Sequence, residues 1–492
     1  MPAKKALIIG AGIAGIATAI RLAVKGYQVE VFEANNYPGG KLSEIKQDGF
    51  RFDAGPSLLT MPQYVDELFE LAGKDPAQFF SYQKLDTICQ YFYEDGSRLT
   101  AFADKEKFIS DVERLTRQGS ALRKHLDNSS RIYEISNPVF LERSLQRLKT
   151  YFTSAAFYAL FQLRRLDASR SMHQANNKTF TDKRMVQYAD RFATYNGSNP
   201  YQSPATLNVI PYLEQHFGAY FPKGGMYSIV TCLVELAESI GVRFYYNSKV
   251  DQIILKDKKA VGVKVNGDII NADIIVSNMD IWFTYHKLLS GHPNLFPKKI
   301  LNQERSSSAL IFYWGIKKQF PELDLHNIFF SANYKAEFDH IWEQQTIYDD
   351  PTVYINISSK LKTDDAPNGC ENWFVMINAP ANKGQDWDKL IEDARENILQ
   401  KLSRILKTDI SELIVSESIL DPRSIESRTS SYQGSIYGTS SNTRFAAFLR
   451  HANRSSKIKN LYFCSGSVHP GGGIPLCLLS AKIVSEWVGQ TI

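Results

Sequence analysis

Apolar residues cluster at Ala6–Ile9, recur at helical spacing at Ile16, Ala19, Ile20 and Ala23, and then alternate with polar ones over Gln28–Phe32. This predicts a buried strand, an amphipathic helix and a second strand. Val65, Leu68, Phe69 and Ala72 predict a helix within Met61–Leu71, and Thr87–Tyr93 and Arg98–Ala103 flank the turn residues Glu94-Asp95-Gly96-Ser97 as a hairpin that opens a second, mixed sheet. From Lys105 to about Arg191 the period is helical, with one stripe at Val112, Leu115, Leu122 and Leu126 and another at Phe140, Leu141, Leu145 and Leu148. An amphipathic helix at Ile229–Ile240 stops at Gly241. A strand at Val242–Tyr246 follows, then a meander at Val250–Leu255, Ala260–Val265 and Ile269–Asn271, and a buried strand within Ala272–Asn278. Further strands are predicted at Ala309–Ile316, Thr352–Ser358, Trp373–Ala379 and Leu413–Ser418, with a long helix at Asp386–Leu406. A last strand runs through Leu461 into a glycine-rich turn, and Leu476–Val488 closes the chain as a helix. The expected class is α/β, with an α+β second part.

Glycines punctuate the head of this pattern. Gly10, Gly12 and Gly15 lie between the first strand and the helix, Gly26 ends the helix, and Glu33 closes the second strand. In such a unit one glycine permits the tight turn, one lets the backbone approach a pyrophosphate, and one lets helix and strand pack closely. The helix N-terminus then favours phosphate, and an acid about 20 residues on accepts hydrogen bonds from a ribose. A dinucleotide site follows. Its extension decides which dinucleotide. Asn36-Tyr37-Pro38-Gly39-Gly40-Lys41 supplies a second close backbone approach with a cation beside it, and Gly49-Phe50-Arg51-Phe52-Asp53-Ala54-Gly55-Pro56 follows. A nicotinamide dehydrogenase needs no such segments. A long, buried flavin does.

The tail repeats the theme. Cys464-Ser465-Gly466-Ser467-Val468-His469-Pro470-Gly471-Gly472-Gly473-Ile474 turns into the last helix. A helix N-terminus there stabilises the negative charge that a reduced flavin carries at its pyrimidine edge. The 492 residues predict two or three domains. The net charge of +5 is too small to argue for nucleic acid. The five cysteines have neither CxxC spacing nor a disulfide pattern, so no metal site and a reducing cytoplasm are expected. The chain enters its first strand at once, which leaves no room for a signal peptide, and no apolar run reaches the length of a membrane span. One stretch, Tyr151–Leu163, is aromatic and uncharged between Lys149 and Arg164-Arg165. That pattern fits an interfacial helix lying on a membrane as well as a buried core helix.

The head, the tail and the stretch from Tyr195 to Met226 together resemble the phytoene desaturase family within the flavin amine oxidase superfamily, over the whole chain. Two departures stand out. Lys41 replaces the usual Arg after the glycine pair, giving a point charge rather than a fork. Ser465-Gly466-Ser467-Val468 replaces Gly-Ala-Gly-Thr, and Val468-His469-Pro470 with Ile474-Pro475-Leu476-Cys477 is more similar to the subgroup of 1-hydroxycarotenoid 3,4-desaturases. The Thr194–Asn199 stretch leans the same way.

The resemblance implies a Rossmann-like FAD-binding domain interleaved with a mixed-sheet and helical substrate domain. Residues 1–80, 221–284 and 453–492 would bind FAD, and 81–220 and 285–452 would form the substrate and membrane-associating part. It further implies that Gly10, Gly12, Ala14, Gly15, Glu33 and Ala34 bind FAD at the head, with Gly40, Lys41, Gly55, Pro56 and Ser57 after them. Val250 would meet the adenine, and Gly466, Ser467, Gly473 and Ile474 would hold the ring. The implied reaction passes a hydride from a carotenoid to flavin N5 and a proton to an acceptor, for which Asp182 and His469 are candidates. A substrate hydroxyl left unpaired in an apolar tunnel costs about 1–3 kcal/mol, so Tyr195 and Asn196 are candidate partners for it. Oxygen or a quinone would take the electrons, and the protein would be cytoplasmic and peripheral to the membrane that holds its substrate.

Overall fold

A computed structural model of the chain describes residues 3–137, 153, 162, 166–443 and 449–489. Its first layer is a five-stranded parallel sheet in the order Leu461–Phe463, Ile274–Ser277, Lys5–Ile9, Gln28–Phe32, Arg243–Tyr245. Parallel strands are covered on both faces, which is why these segments read as unbroken apolar runs. Ala6, Ile8, Val29 and Val31 pack with the helices Ile13–Val24, Ser228–Ser239 and Ile474–Trp487. Leu7 and Ile9 face the other way, onto the three-stranded antiparallel sheet of Val250–Lys256, Lys259–Val265 and Asp268–Asn271. Strands from the head, the middle and the tail thus share one sheet.

The second layer is a seven-stranded mixed sheet in the order Ile414–Leu420, Ser308–Ile316, Glu371–Ala379, Val353–Asn356, His326–Phe329, Thr87–Phe92, Arg98–Phe102. Its pairs are antiparallel except where His326–Phe329 runs parallel to Thr87–Phe92. One face buries Trp314, Trp373 and Phe312 against the helix Trp387–Leu406. The opposite face, together with Arg191, Thr194 and Tyr195 of the turn Arg191–Asn196, borders a cavity.

The two layers are joined at Arg51. Its guanidinium pairs with Glu44 at 2.8 Å, Asp53 at 2.7 Å and Asp365 at 3.2 Å. Asp53 in turn accepts the backbone N–H groups of Met226 at 2.9 Å and Tyr227 at 3.0 Å. A buried ionic group held from several sides fixes a single path for its chain. Here the fixed path is that of Ala54–Ser57.

Element boundaries shift in physical detail. The helix expected from Met61 begins at Gln63, because Met61 is left-handed, with φ 55°. The strand expected at Thr352–Ser358 is confined to Val353–Asn356, and the strand His326–Phe329 and the helix Pro422–Thr429 have no counterpart in the expectation. The Phe140–Leu148 stripe lies outside the described residues, as does Tyr151–Leu163 apart from Thr153 and Gln162. Among the described residues no helix is long and apolar enough to cross a membrane.

Candidate active site

A cavity of about 630 Å³ begins at the parallel sheet, among Gly10, Glu33 and Val250, and extends to the mixed sheet, among Ile328, Tyr354 and Met376. Two helices start on it. Ile13–Val24 begins after Gly12 and Ile474–Trp487 after Gly473, and neither has a side-chain cap. Five other helices are capped by Asp104, Ser171, Asp182, Asp386 and Asp421, while Gln63–Leu71, Gly119–Ser136 and Ser228–Ser239 also lack a side-chain cap but do not start on the cavity. The two helices on the cavity therefore present open N–H groups and a positive dipole end, the arrangement that receives anionic groups.

The cradle around the first of them is made of backbone. A Cβ on Gly15 would lie 2.3 Å from the Gly10 carbonyl, so glycine alone lets the helix start this close to the turn. The Gly39 N–H donates to the Ala11 carbonyl at 2.7 Å, which lays the second glycine pair on the first. A Cβ on Gly55 would fall 1.7 Å from the Lys41 carbonyl. Glu33 is buried, and its carboxylate accepts the Ala11 N–H at 2.7 Å and the Asn35 N–H at 2.9 Å. Each oxygen keeps a lone pair for a diol. Lys41 donates to Ser431 Oγ at 2.7 Å. Burial pushes its ammonium pKa down, and Asp280 offsets part of that. At the tail, Gly438 lies against Ser467 and Gly472 against the Tyr437 ring, and Gly466, Ser467, Gly472 and Gly473 line the cavity.

Farther in, the wall is apolar with two polar groupings. In one, Arg191 Nη2 pairs with Glu214 Oε2 at 3.1 Å, Arg191 Nη1 donates to the Tyr195 hydroxyl at 3.0 Å, and that hydroxyl donates to Glu214 Oε1. The guanidinium lies 4.2 Å from the Phe192 ring centre and 5.0 Å from that of Tyr91. Burial, with Glu214 adding to it, holds the Tyr195 phenol well above its usual pKa, so it stays a donor. In the other grouping, His326 Nδ1 meets the Tyr354 hydroxyl at 2.7 Å, and that hydroxyl meets Ser57 Oγ at 2.7 Å. Burial brings the His326 pKa down to about 3, with nearby Arg191 adding to the effect.

Of the residues expected to bind FAD, all but Gly15 line this cavity, and Gly15 packs the helix behind it. Tyr195 lines it too. Asn196 does not: its amide donates to Ser441 Oγ at 2.6 Å and accepts from Arg450 at 3.1 Å. Asp182 also stands elsewhere, capping Lys183–Asp190 and pairing with Arg184 at 2.7 Å. His469 is buried beside the tail turn without lining the cavity. Its N–H donates to the His451 carbonyl at 2.9 Å and its carbonyl accepts from Asn453 at 2.8 Å. His326, Tyr354, Arg191 and Glu214 line the wall although sequence reasoning did not select them. Arg191 meets Glu214 23 positions on and His326 meets Tyr354 28 positions on, separations that no local pattern reports.

A glycine turn answered by an acid, two uncapped helix starts and a glycine-rich tail turn, all opening into an apolar pocket, define a flavin-dependent oxidoreductase. The family model for flavin containing amine oxidoreductase matches residues 13–488. The chain is 50% identical to the 1-hydroxycarotenoid 3,4-desaturase of Flavobacterium sp. (strain P99-3), over 99% of each chain. It is 35% identical to the 4,4'-diapolycopene oxygenase of Methylomonas sp, over 98% of this chain and 97% of that one. Among solved structures it is similar in fold to an oxidoreductase from Methanosarcina mazei, with a TM-score of 0.64 at 15% identity, covering 98% of this chain and 100% of that one. The chain belongs to the flavin containing amine oxidoreductase family, and its cofactor is FAD.

Proposed function

We propose that the protein is a carotenoid desaturase that introduces a double bond beside the polyene of a 1-hydroxycarotenoid, at its 3,4 position. The observation that carries this reading is the 50% identity, across essentially the whole of both chains, to a 1-hydroxycarotenoid 3,4-desaturase. The geometry supports it. The cavity continues past the glycine cradle into a pocket walled by Ile88, Ile328, Phe374 and Met376, which suits a hydrocarbon chain. The carboxylate on that wall, Glu214, is already paired with Arg191 and is not open to a substrate ammonium.

FAD, held by the cradle residues at Gly10–Ala14, Glu33–Ala34, Gly40–Lys41, Gly55–Ser57, Val250, Gly466–Ser467 and Gly473–Ile474, supplies the hydride acceptor. The chain's own residues position the polyene and exclude water, which is most of what the reaction asks of a protein when the substrate delocalises its own charge. Delivery of a membrane-dissolved substrate requires a membrane-facing entrance. The uncharged stretch Tyr151–Leu163, between Lys149 and Arg164-Arg165, supports peripheral association. Oxygen or a quinone would serve as the final electron acceptor.

Purified holoprotein would be mixed with liposomes carrying phytoene, gamma-carotene or the latter's 1′-hydroxy derivative, and the pigments separated by chromatography. A red-shifted product from the hydroxylated polyene alone is expected. Coloured product from phytoene would make this an early desaturase instead, and no conversion of any polyene, with reduction by amines, would sink the carotenoid reading.

A further inference from the structure

We infer that His326 reads the oxygen of the substrate: its Nε2–H donates to the hydroxyl on the end group of the polyene. The inference rests on the carotenoid reading above and adds the residue that makes the hydroxyl count.

The tautomer follows from the neighbours. The Asn356 amide nitrogen donates to the Leu325 carbonyl at 3.1 Å, which fixes its orientation, and the same nitrogen lies 3.2 Å from His326 Nδ1. An NH₂ group facing Nδ1 makes Nδ1 the acceptor. The Tyr354 hydroxyl, 2.7 Å away, donates to the same lone pair, which it shares with the longer Asn356 contact, and accepts from Ser57. The ring proton therefore sits on Nε2. With its depressed pKa the ring is neutral at pH 7, so Nε2 is a donor and not an acceptor.

That donor is buried and has no partner among the described residues, and it belongs to a residue that lines the cavity. A buried unmade hydrogen bond is costly and marks a place where a ligand atom belongs. Position agrees. A hydroxyl on carbon 1 lies roughly 4 Å from carbon 3, summing bonds of about 1.5 Å. Its partner must therefore stand beside the reacting carbons, at the flavin end of the pocket. His326 is joined through Tyr354 to Ser57, which follows the Gly55-Pro56 segment of the cradle.

The two residues expected to meet the hydroxyl are occupied. The Tyr195 hydroxyl donates to Glu214 and accepts from Arg191, and Asn196 is held by Ser441 and Arg450 outside the cavity. Among the described residues Arg191 Nε is the other unpartnered donor on this wall, but its guanidinium is packed among the rings of Tyr91, Phe192 and Tyr195.

The test compares wild type, His326→Asn and His326→Gln, all loaded with FAD. Asn keeps a polar group facing Tyr354 and Asn356 but does not reach the Nε2 position, whereas the amide N–H of Gln does. Dissociation constants for a 1-hydroxycarotenoid and for the same polyene without the hydroxyl are read from the perturbation of flavin absorbance, alongside kcat/KM for each. Wild type is expected to favour the hydroxylated polyene by about tenfold to a hundredfold. His326→Asn should bring that ratio close to one, and His326→Gln should restore most of it. A ratio unchanged in His326→Asn would overturn the inference, as would an equal loss of affinity for both polyenes. Wild type that binds both alike would overturn it while leaving a desaturase. Wild type that binds neither polyene would overturn the carotenoid reading and the inference together.

Discussion

Glu214→Gln would strand the Arg191 charge inside the protein while leaving its shape in place. The two side chains are 4% and 2% exposed and 3.1 Å apart. At an effective dielectric of about 20, opposite charges at that distance attract by about 5 kcal/mol. Removing one partner of a buried pair costs about 3–5 kcal/mol, because the surviving charge keeps its desolvation penalty. Three things bring the expected cost to the low end. The Gln carbonyl still accepts from Arg191, Tyr195 keeps its hydroxyl on Arg191 Nη1, and the rings around the guanidinium return about 0.5–2 kcal/mol.

The expectation is a destabilisation of about 3 kcal/mol, a fall in Tm of roughly 6–12 °C at a domain-sized heat of unfolding. Thermal unfolding followed by circular dichroism and by flavin fluorescence at one scan rate measures it. The double variant Arg191→Leu/Glu214→Leu should be less damaged than either single variant, since it buries no orphaned charge. A fall in Tm of under about 2 °C for Glu214→Gln, or a double variant as damaged as the sum of its singles, would refute the argument that this pair is a closed unit in an apolar wall.

Gly15→Ala places a Cβ 2.3 Å from the Gly10 carbonyl and must push the helix start off the turn. Flavin retention after desalting should fall by about tenfold or more, and full retention would refute the cradle as described. Glu33→Gln turns an NH₂ toward one of the two N–H donors that the carboxylate now satisfies, a loss of about 1–3 kcal/mol in stability together with weaker flavin retention. If both readouts are unchanged, Glu33 does not tie the turn. His125 is buried beside Phe180, with burial bringing its pKa down to about 4. Neutral when folded and charged below about 6.5 when unfolded, it makes stability fall as the pH drops through that window, by about 2 kcal/mol between pH 6.5 and pH 5. His125→Leu should shrink the wild-type loss between pH 7 and pH 5 by that amount in urea titrations, and an unchanged loss would refute the assignment.

The glycine cradle was legible because it is made of backbone. A turn that needs φ near 95° at Gly10, a helix that needs no Cβ at Gly15 and an acid at the end of the next strand leave local traces in the sequence. The second layer showed itself as a set of strands, but one of them, His326–Phe329, is only four residues long and shows no alternation. Asp182 drew attention as a carboxylate near an apolar tunnel, yet an Asp immediately before a helical run is also an N-cap signal, and in the fold it is the cap that wins. Asn196 is claimed by Ser441 and Arg450, more than 240 positions away, which no local pattern reports. His469 sits in the right segment with its backbone used for closure of the tail.

These two kinds of legibility correspond to two ways of building a site. The cradle uses peptide groups, so it constrains residue types strictly at a few glycines and acids. The fold that carries it is shared with the Methanosarcina mazei oxidoreductase at 15% identity. The pocket uses side chains projecting from strand faces, so a single position can change what it accepts while the sheet remains. A wall of Ile328, Phe374 and Met376 fits many hydrocarbons about equally well, because apolar contacts discriminate poorly between chains of the same girth. A buried donor without a partner does discriminate, since a substrate lacking the acceptor leaves it unpaired. The polar atoms of the pocket therefore decide which polyene is chosen. Those of Arg191, Glu214 and Tyr195 are largely spent on one another, which places that choice at the free edge of His326.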